Sequence, residues 1–288
     1  MDLFCFGLGY SARFTMDALE PESVWGTTRS AEGLHAMAAL GAMPLLFDGN
    51  AGAPHNGAVS DALAEATHVL VSIAPDETGD PVLNVFGDTL SEAGPNSICY
   101  LSTVGVYGDH DGGWVDETSE CRPVSKRSKQ RVEAENAWLS FSETTGIPVS
   151  IVRLSGIYGR GRGPFEKIRS GTSRRIIKDG QVFNRIHGED IGQIAAAALR
   201  QNASGIFNGT DDEPAAPQDV ITYAAELLGV EPPEEVRFEA ANMSPMARTF
   251  YGENKRVKND KIKNELGITL AYPTYREGLK AILAAEND

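Results

Sequence analysis

The chain has 288 residues, 41% hydrophobic and 23% charged, with a formal net charge of -14. That composition fits a globular protein with one large domain, or a domain plus a smaller lobe. The acidity argues against general nucleic-acid binding, since phosphate backbones reward clustered positive charge, and no stretch approaches the roughly 20 consecutive apolar residues that cross a bilayer.

The N-terminal MDLFCFGLGY has no basic n-region and runs straight into a strand-like segment, so no signal peptide is expected. Strands are predicted at LFCFG (3–7), SVWGT (23–27), PLLFD (44–48), HVLVSIA (68–74), SICYLST (97–103) and PVSIVRL (148–154). Helical patterns lie between them near 11–20, 30–40, 59–66, 80–93 and 125–145. Such alternation implies a parallel sheet covered on both faces, doubly wound by the right-handed crossover rule. After residue 155 the pattern breaks into Gly-, Arg- and Pro-rich loops. It resumes with a helix at 190–200, a strand near 204–208 and helices near 217–228, 258–266 and 274–285, with DDEPAAP (211–217) and VEPPEEV (230–236) as turn-rich connectors. The expected fold is α/β, a Rossmann-type doubly wound parallel sheet with a smaller C-terminal α/β lobe. Residues 1–155 form the dinucleotide-binding domain, with return segments near 185–210, and most of 156–288 forms the substrate-side lobe. The cysteines Cys5, Cys99 and Cys121 are few, odd in number and not closely paired, which fits a reducing cytoplasm.

The first strand leads into Gly7-Leu8-Gly9-Tyr10-Ser11-Ala12, a G-x-G-x-x-A pattern. Gly7 allows the tight turn, Gly9 lets backbone approach a pyrophosphate, and Ala12 lets the helix pack close to the sheet. Free N–H groups at the helix start then face the phosphates. The alternative is a close-packed turn with no ligand. The second strand ends Gly26-Thr27-Thr28-Arg29-Ser30, without the carboxylate that NAD-binding units place on the ribose. Thr28 and Arg29 suit a 2′-phosphate, so NADP is favoured over NAD; the alternative for Arg29 is a solvated helix start. Asp48, ending strand three, either meets the adenine or caps the next loop. Ile73 and Ala74, ending strand four, are expected against the ribose side of the cofactor.

Strand five ends Leu101-Ser102-Thr103-Val104-Gly105-Val106-Tyr107-Gly108, with hydroxyls where ligands bind in open α/β sheets. With GLGYSA (7–12), STVGVYG (102–108), RLSGIYGRG (153–161) and NRIHGEDIG (184–192), the chain resembles an extended or atypical short-chain dehydrogenase/reductase, of the NAD(P)-dependent epimerase/dehydratase branch. The resemblance implies that Thr103, with Ser102 beside it, polarises a substrate oxygen, and that the last two segments line the substrate cleft and dock the C-terminal lobe. It also implies a Tyr-x-x-x-Lys pair on the following helix, placed by Pro123 at Ser125 and Lys129. Lys129 would hold the nicotinamide ribose, while Ser125 replaces the tyrosine. Tyr107 or Tyr158 would then donate the proton, each with packing as its alternative. For Lys126, Arg127 and Arg131 a solvated surface is favoured.

His187 is read as structural, with contact to substrate as its alternative, and Asp190 as the cap of the helix after it. Arg160, Arg162, Lys167, Arg174, Arg175 and Lys178 form a second basic zone, either anion-binding or solvated. No residue cluster has metal-ligand spacing, and Asp109, His110 and Asp111 are read as a turn. The implied function is an NADP-dependent oxidoreductase or epimerase acting on a carbonyl or carbinol carbon of a small, sugar-nucleotide-like substrate. The alternative is a non-catalytic NADP-binding sensor or scaffold. Helices near 80–93 and 125–145 are the implied faces of a homodimer.

Overall fold

The computed structural model describes residues 1–287. Strands β1 (Asp2–Phe6), β2 (Ser23–Thr28), β3 (Met43–Leu46), β4 (His68–Val71), β5 (Ser97–Thr103), β7 (Val149–Leu154) and β11 (Gly205–Gly209) form one parallel sheet, ordered β3-β2-β1-β4-β5-β7-β11. The order reverses between β1 and β4, which opens a crevice at their carboxyl ends. The remaining strands pair in parallel outside this sheet: β6 (Trp114–Val115) with β13 (Arg256–Val257), β8 (Gly156–Tyr158) with β10 (Arg185–His187), and β9 (Arg175–Ile177) with β12 (Glu235–Arg237).

Period-two alternation sorts the strands' side chains into two cores. Leu3 and Cys5 of β1 join Cys99, Leu101, Val152 and Leu154 beneath α1 (Tyr10–Leu19), α2 (Ala31–Ala38) and α7 (Gly188–Arg200). Phe4 and Phe6 join Ile98, Tyr100, Val149 and Ile151 beneath α3 (Asn56–Glu65), α4 (Pro81–Ala93) and α5 (Lys126–Thr145). α1 and α7 lie close because α7 presents glycines one turn apart. A Cβ on Gly188 would fall 2.4 Å from the Phe14 ring, and one on Gly192 would fall 2.3 Å from the Phe14 carbonyl oxygen.

The chain leaves the sheet after β7 and returns through α7 and β11. Outside it, α6 (Phe165–Arg169), α8 (Pro217–Leu228) and α11 (Tyr275–Asn287) bury a smaller core of Tyr158, Phe165, Ala224, Tyr275, Leu279 and Ile282. α9 (Pro245–Phe250) and α10 (Asp260–Asn264) complete the helices. No helix among the described residues is long and apolar enough to cross a membrane.

Asp190 does not cap α7, contrary to its sequence reading. The helix begins two residues earlier, and the cap is His187, whose Nδ1 accepts from the Glu189 amide at 3.3 Å. Asp190 is fully buried and accepts the amides of Ala271 (2.7 Å) and Tyr272 (3.2 Å), tying the C-terminal segment to α7.

Asp211, just past β11, is 1% exposed, and its Oδ2 has no hydrogen-bond partner among the described residues. Burial pushes its carboxyl up to about 8, against the opposing pull of Arg185. Folded protein therefore keeps a proton that the unfolded chain releases above 3.8. That contribution to stability falls as pH rises from there to about 8, by at most about 1.4 kcal/mol per pH unit, and is constant above. Asp211→Asn has the same shape and no proton to lose. Its melting temperature is expected to gain several degrees on wild type between pH 5.5 and 8.5; a gap independent of pH would refute this.

Candidate active site

The glycine turn sits at the reversal of strand order. Gly7 has φ +84°, and a Cβ there would lie 2.6 Å from Ile73 Cγ2. Both sides of the crevice pin it: Gly7 N donates to Thr27 Oγ1 at 2.8 Å, and Ser72 Oγ donates to the Gly7 carbonyl. Gly9 is the N-cap of α1 and offers no side-chain acceptor; a Cβ there would meet nothing within 4 Å. No side chain caps the first amides of α1, and Ala12 is fully buried beneath. An uncapped helix start beside an open cradle fits an anionic diphosphate. Above it Tyr10 donates its hydroxyl to the Arg160 carbonyl at 3.3 Å, and the Arg162 guanidinium lies 4.2 Å from its ring centroid.

At the end of β2 the Thr28 hydroxyl accepts weakly from Ser30 N at 3.4 Å and packs against Gly33. Arg29 is exposed, with no ion-pair partner among the described residues. Asp48 caps the following loop, its Oδ1 accepting from Asn50 N at 2.9 Å and standing 3.9 Å from His55 Nε2.

A cleft of about 900 Å³ opens between the sheet's carboxyl edge and the second lobe. Ala74 and Pro75 after β4, Thr103 to Gly105 at the end of β5, the start of α5, Ser155 to Tyr158, Val182 to Arg185 and the 247–255 region wall it. Ile73 touches Gly7 and its neighbour Ala74 lines the cleft, so turn and cleft adjoin. A smaller cavity by Arg169, Arg174 and Leu228 lies away from the strand ends.

Within this frame the predicted residues separate. Thr103 lines the cleft, its Oγ1 accepting from Gly105 N at 3.1 Å. Ser102 does not line it. Adjacent strand residues point to opposite faces, and the Ser102 hydroxyl donates inward to Glu135, which is ion-paired with Arg153 at 2.7 Å. Tyr107 is also interior, 0% exposed, with its hydroxyl donating to Asn208 Oδ1 at 2.8 Å and its ring under Arg153. Burial pushes its phenol up to about 12. Tyr158 borders the cleft but donates to the Thr274 carbonyl at 3.3 Å, and burial raises its pKa as well. Neither phenol is aimed at the cleft.

At the start of α5 the cleft wall includes Ser125 but not Lys129. Ser125 caps the helix, accepting from Ser128 N at 3.0 Å. Lys129 is exposed and outside the cleft wall, whereas Arg127 and Arg131 line it. Arg131 is held by Nη1, which donates to Tyr100 Oη and to the Leu101 carbonyl, both at 2.8 Å. Much of the second basic zone is structural. Arg174 and Arg175 donate to backbone carbonyls, Lys178 donates to Gln181 and the Tyr251 carbonyl, and none of the three lines the cleft. Asp109, His110 and Asp111 form a turn in which Asp109 accepts the Asp111 and Asn254 amides.

A parallel sheet in this order, with an open glycine turn at its reversal and a cleft at its carboxyl edge, defines a Rossmann-type fold. Residues 50–208 match the family model described as the NAD dependent epimerase/dehydratase family, and the chain belongs to that family. It is 30% identical over 224 residues to Protein YeeZ of Escherichia coli (strain K12), covering 74% of each chain. Among solved structures it resembles a functionally unknown conserved protein from Silicibacter pomeroyi DSS, at 48% identity and TM-score 0.90, covering 99% of this chain and 98% of that one. A UDP-glucuronic acid 4-epimerase from Bacillus cereus in complex with NAD shares the fold, at 16% identity and TM-score 0.74, with 98% and 97% covered.

Proposed function

We propose that this protein is an NADP-dependent oxidoreductase or epimerase acting on a carbonyl or carbinol carbon of a small substrate bound in the cleft. The observation that carries this reading is the open, uncapped glycine turn adjoining a cleft that holds the Thr103 hydroxyl. Amides from Gly9 to Ala12 would hold the diphosphate, and Ile73 and Ala74 would flank the ribose side. Thr28 and the unpaired Arg29 suit a 2′-phosphate, which a carboxylate would repel. The bound nicotinamide would supply or accept the hydride. Thr103 would orient the reacting oxygen by a hydrogen bond. Pairing of two copies through α4 and α5, and a cytoplasmic setting, belong to the same proposal.

A non-catalytic NADP-binding protein is the second reading, and the inward-turned hydroxyls of Tyr107 and Tyr158 favour it. Turnover of NADPH with any member of a panel of aldehydes, ketones and sugar nucleotides would remove it. For cofactor choice, Arg29→Ala is expected to weaken NADPH about tenfold or more while leaving NADH nearly unchanged in a fluorescence titration. Equal losses for the two nucleotides would refute the 2′-phosphate role.

A further inference from the structure

The wall of the cleft in this acidic chain carries more basic than acidic side chains. Five basic residues line it: Lys126, Arg127, Arg131, Arg185 and Lys255. Lys126 is paired with Glu77 at 2.6 Å and Lys255 with Glu253 at 2.7 Å, and Glu253 is the one acidic residue of the wall. Arg185 donates to the carbonyls of Phe183 and Ala215, with Asp211 near it. Arg131 donates to two neutral oxygens. The carboxylate whose field reaches it, Asp80, is 3% exposed and spends Oδ1 capping α4. Arg127 has no ion-pair partner among the described residues. Arg127 and Arg131 are four residues apart, so they share one face of α5, and they open into the same cleft as Thr103.

We infer that the substrate carries an anionic head, a carboxylate or a phosphate, held by the Arg127–Arg131 pair within the cleft that also holds Thr103. The inference rests on the reading of the cleft as the substrate site. A guanidinium has no accessible neutral form, so this pair binds and orients where a phenol would exchange a proton. Two planar forks on one helix face match the geometry of an oxyanion. The apolar side chains of Val182, Phe183, Phe250 and Tyr251 across the cleft suit an apolar body behind that head.

The test is calorimetric titration of the NADP-loaded protein with benzoate, phenyl phosphate and the neutral benzamide. Both anions, or one of them, are expected to bind at least about tenfold more tightly than benzamide, and the tighter of the two names the head group. Arg127→Gln should reduce that preference to within about twofold. Arg127→Lys should keep part of it, and Lys129→Gln, on the solvent side, should leave it intact. Equal affinity for all three probes, no binding of either anion, or a preference that survives Arg127→Gln would overturn the inference. The NADP titration made first separates the two levels. Protein that binds NADP without discriminating the probes refutes the anion site alone, and protein that ignores NADP refutes the reading beneath it.

Discussion

Glu135→Ala is expected to cost about 3–5 kcal/mol of stability and to lower the melting temperature by roughly 10 °C. Arg153 and Glu135 are 4% and 3% exposed in their side chains. Arg153 donates to the carboxylate through Nε and Nη2, and Ser102 adds a hydroxyl. Removing the carboxylate leaves a buried guanidinium that cannot shed its charge. Replacing both partners, with Glu135→Leu and Arg153→Met, removes the unpaired charge and is expected to recover most of the loss. Thermal unfolding of the single and double variants checks this. A single variant as stable as wild type would show that water, rather than Glu135, satisfies the arginine.

Gly9→Val is expected to lower affinity for NADPH and NADH about a hundredfold, near 2.7 kcal/mol, with stability nearly unchanged. A side chain at Gly9 meets nothing within 4 Å, and its φ of -87° is open to any residue. The cost to the fold is therefore small, while the new side chain fills the space that a diphosphate needs. Gly7→Ala behaves differently, because φ +84° and the 2.6 Å approach to Ile73 make it destabilising in the absence of any ligand. Titration of both nucleotides, alongside melting curves for the two variants, separates a cradle from a packed turn. Undiminished affinity in Gly9→Val would remove the cradle.

The central sheet was legible because most of its strands are short apolar runs bounded by polar or small residues, and the glycine turn follows the first of them. The rotational phase of α5 was not. Its sequence KRSKQRVEAENAW has no apolar stripe in its first two turns, and its inward face includes the polar Ser128 and Glu135. With nothing hydrophobic to fix the phase, Arg127 and Arg131 read as solvated surface, yet both line the cleft. Ser102 and Thr103 were read together because β5 is buried on both faces, so hydropathy carries no record of which residue points inward. The short strands β8, β9, β10 and β12 have three residues each, too few to show a period.

The close seat of α1 on α7 has a consequence for how the polypeptide is made. The face of the sheet beneath α1 is completed by Ile191, Ile194 and Phe207, then by Ile262, Leu266 and Leu270. At about 5–20 residues per second on the ribosome, α1 emerges roughly 10–40 s before the helix that covers it. Through that interval the nascent chain displays Leu3, Cys5, Ala12 and Leu19 without their final cover, which Ile262, Leu266 and Leu270 complete only in the last quarter of the sequence.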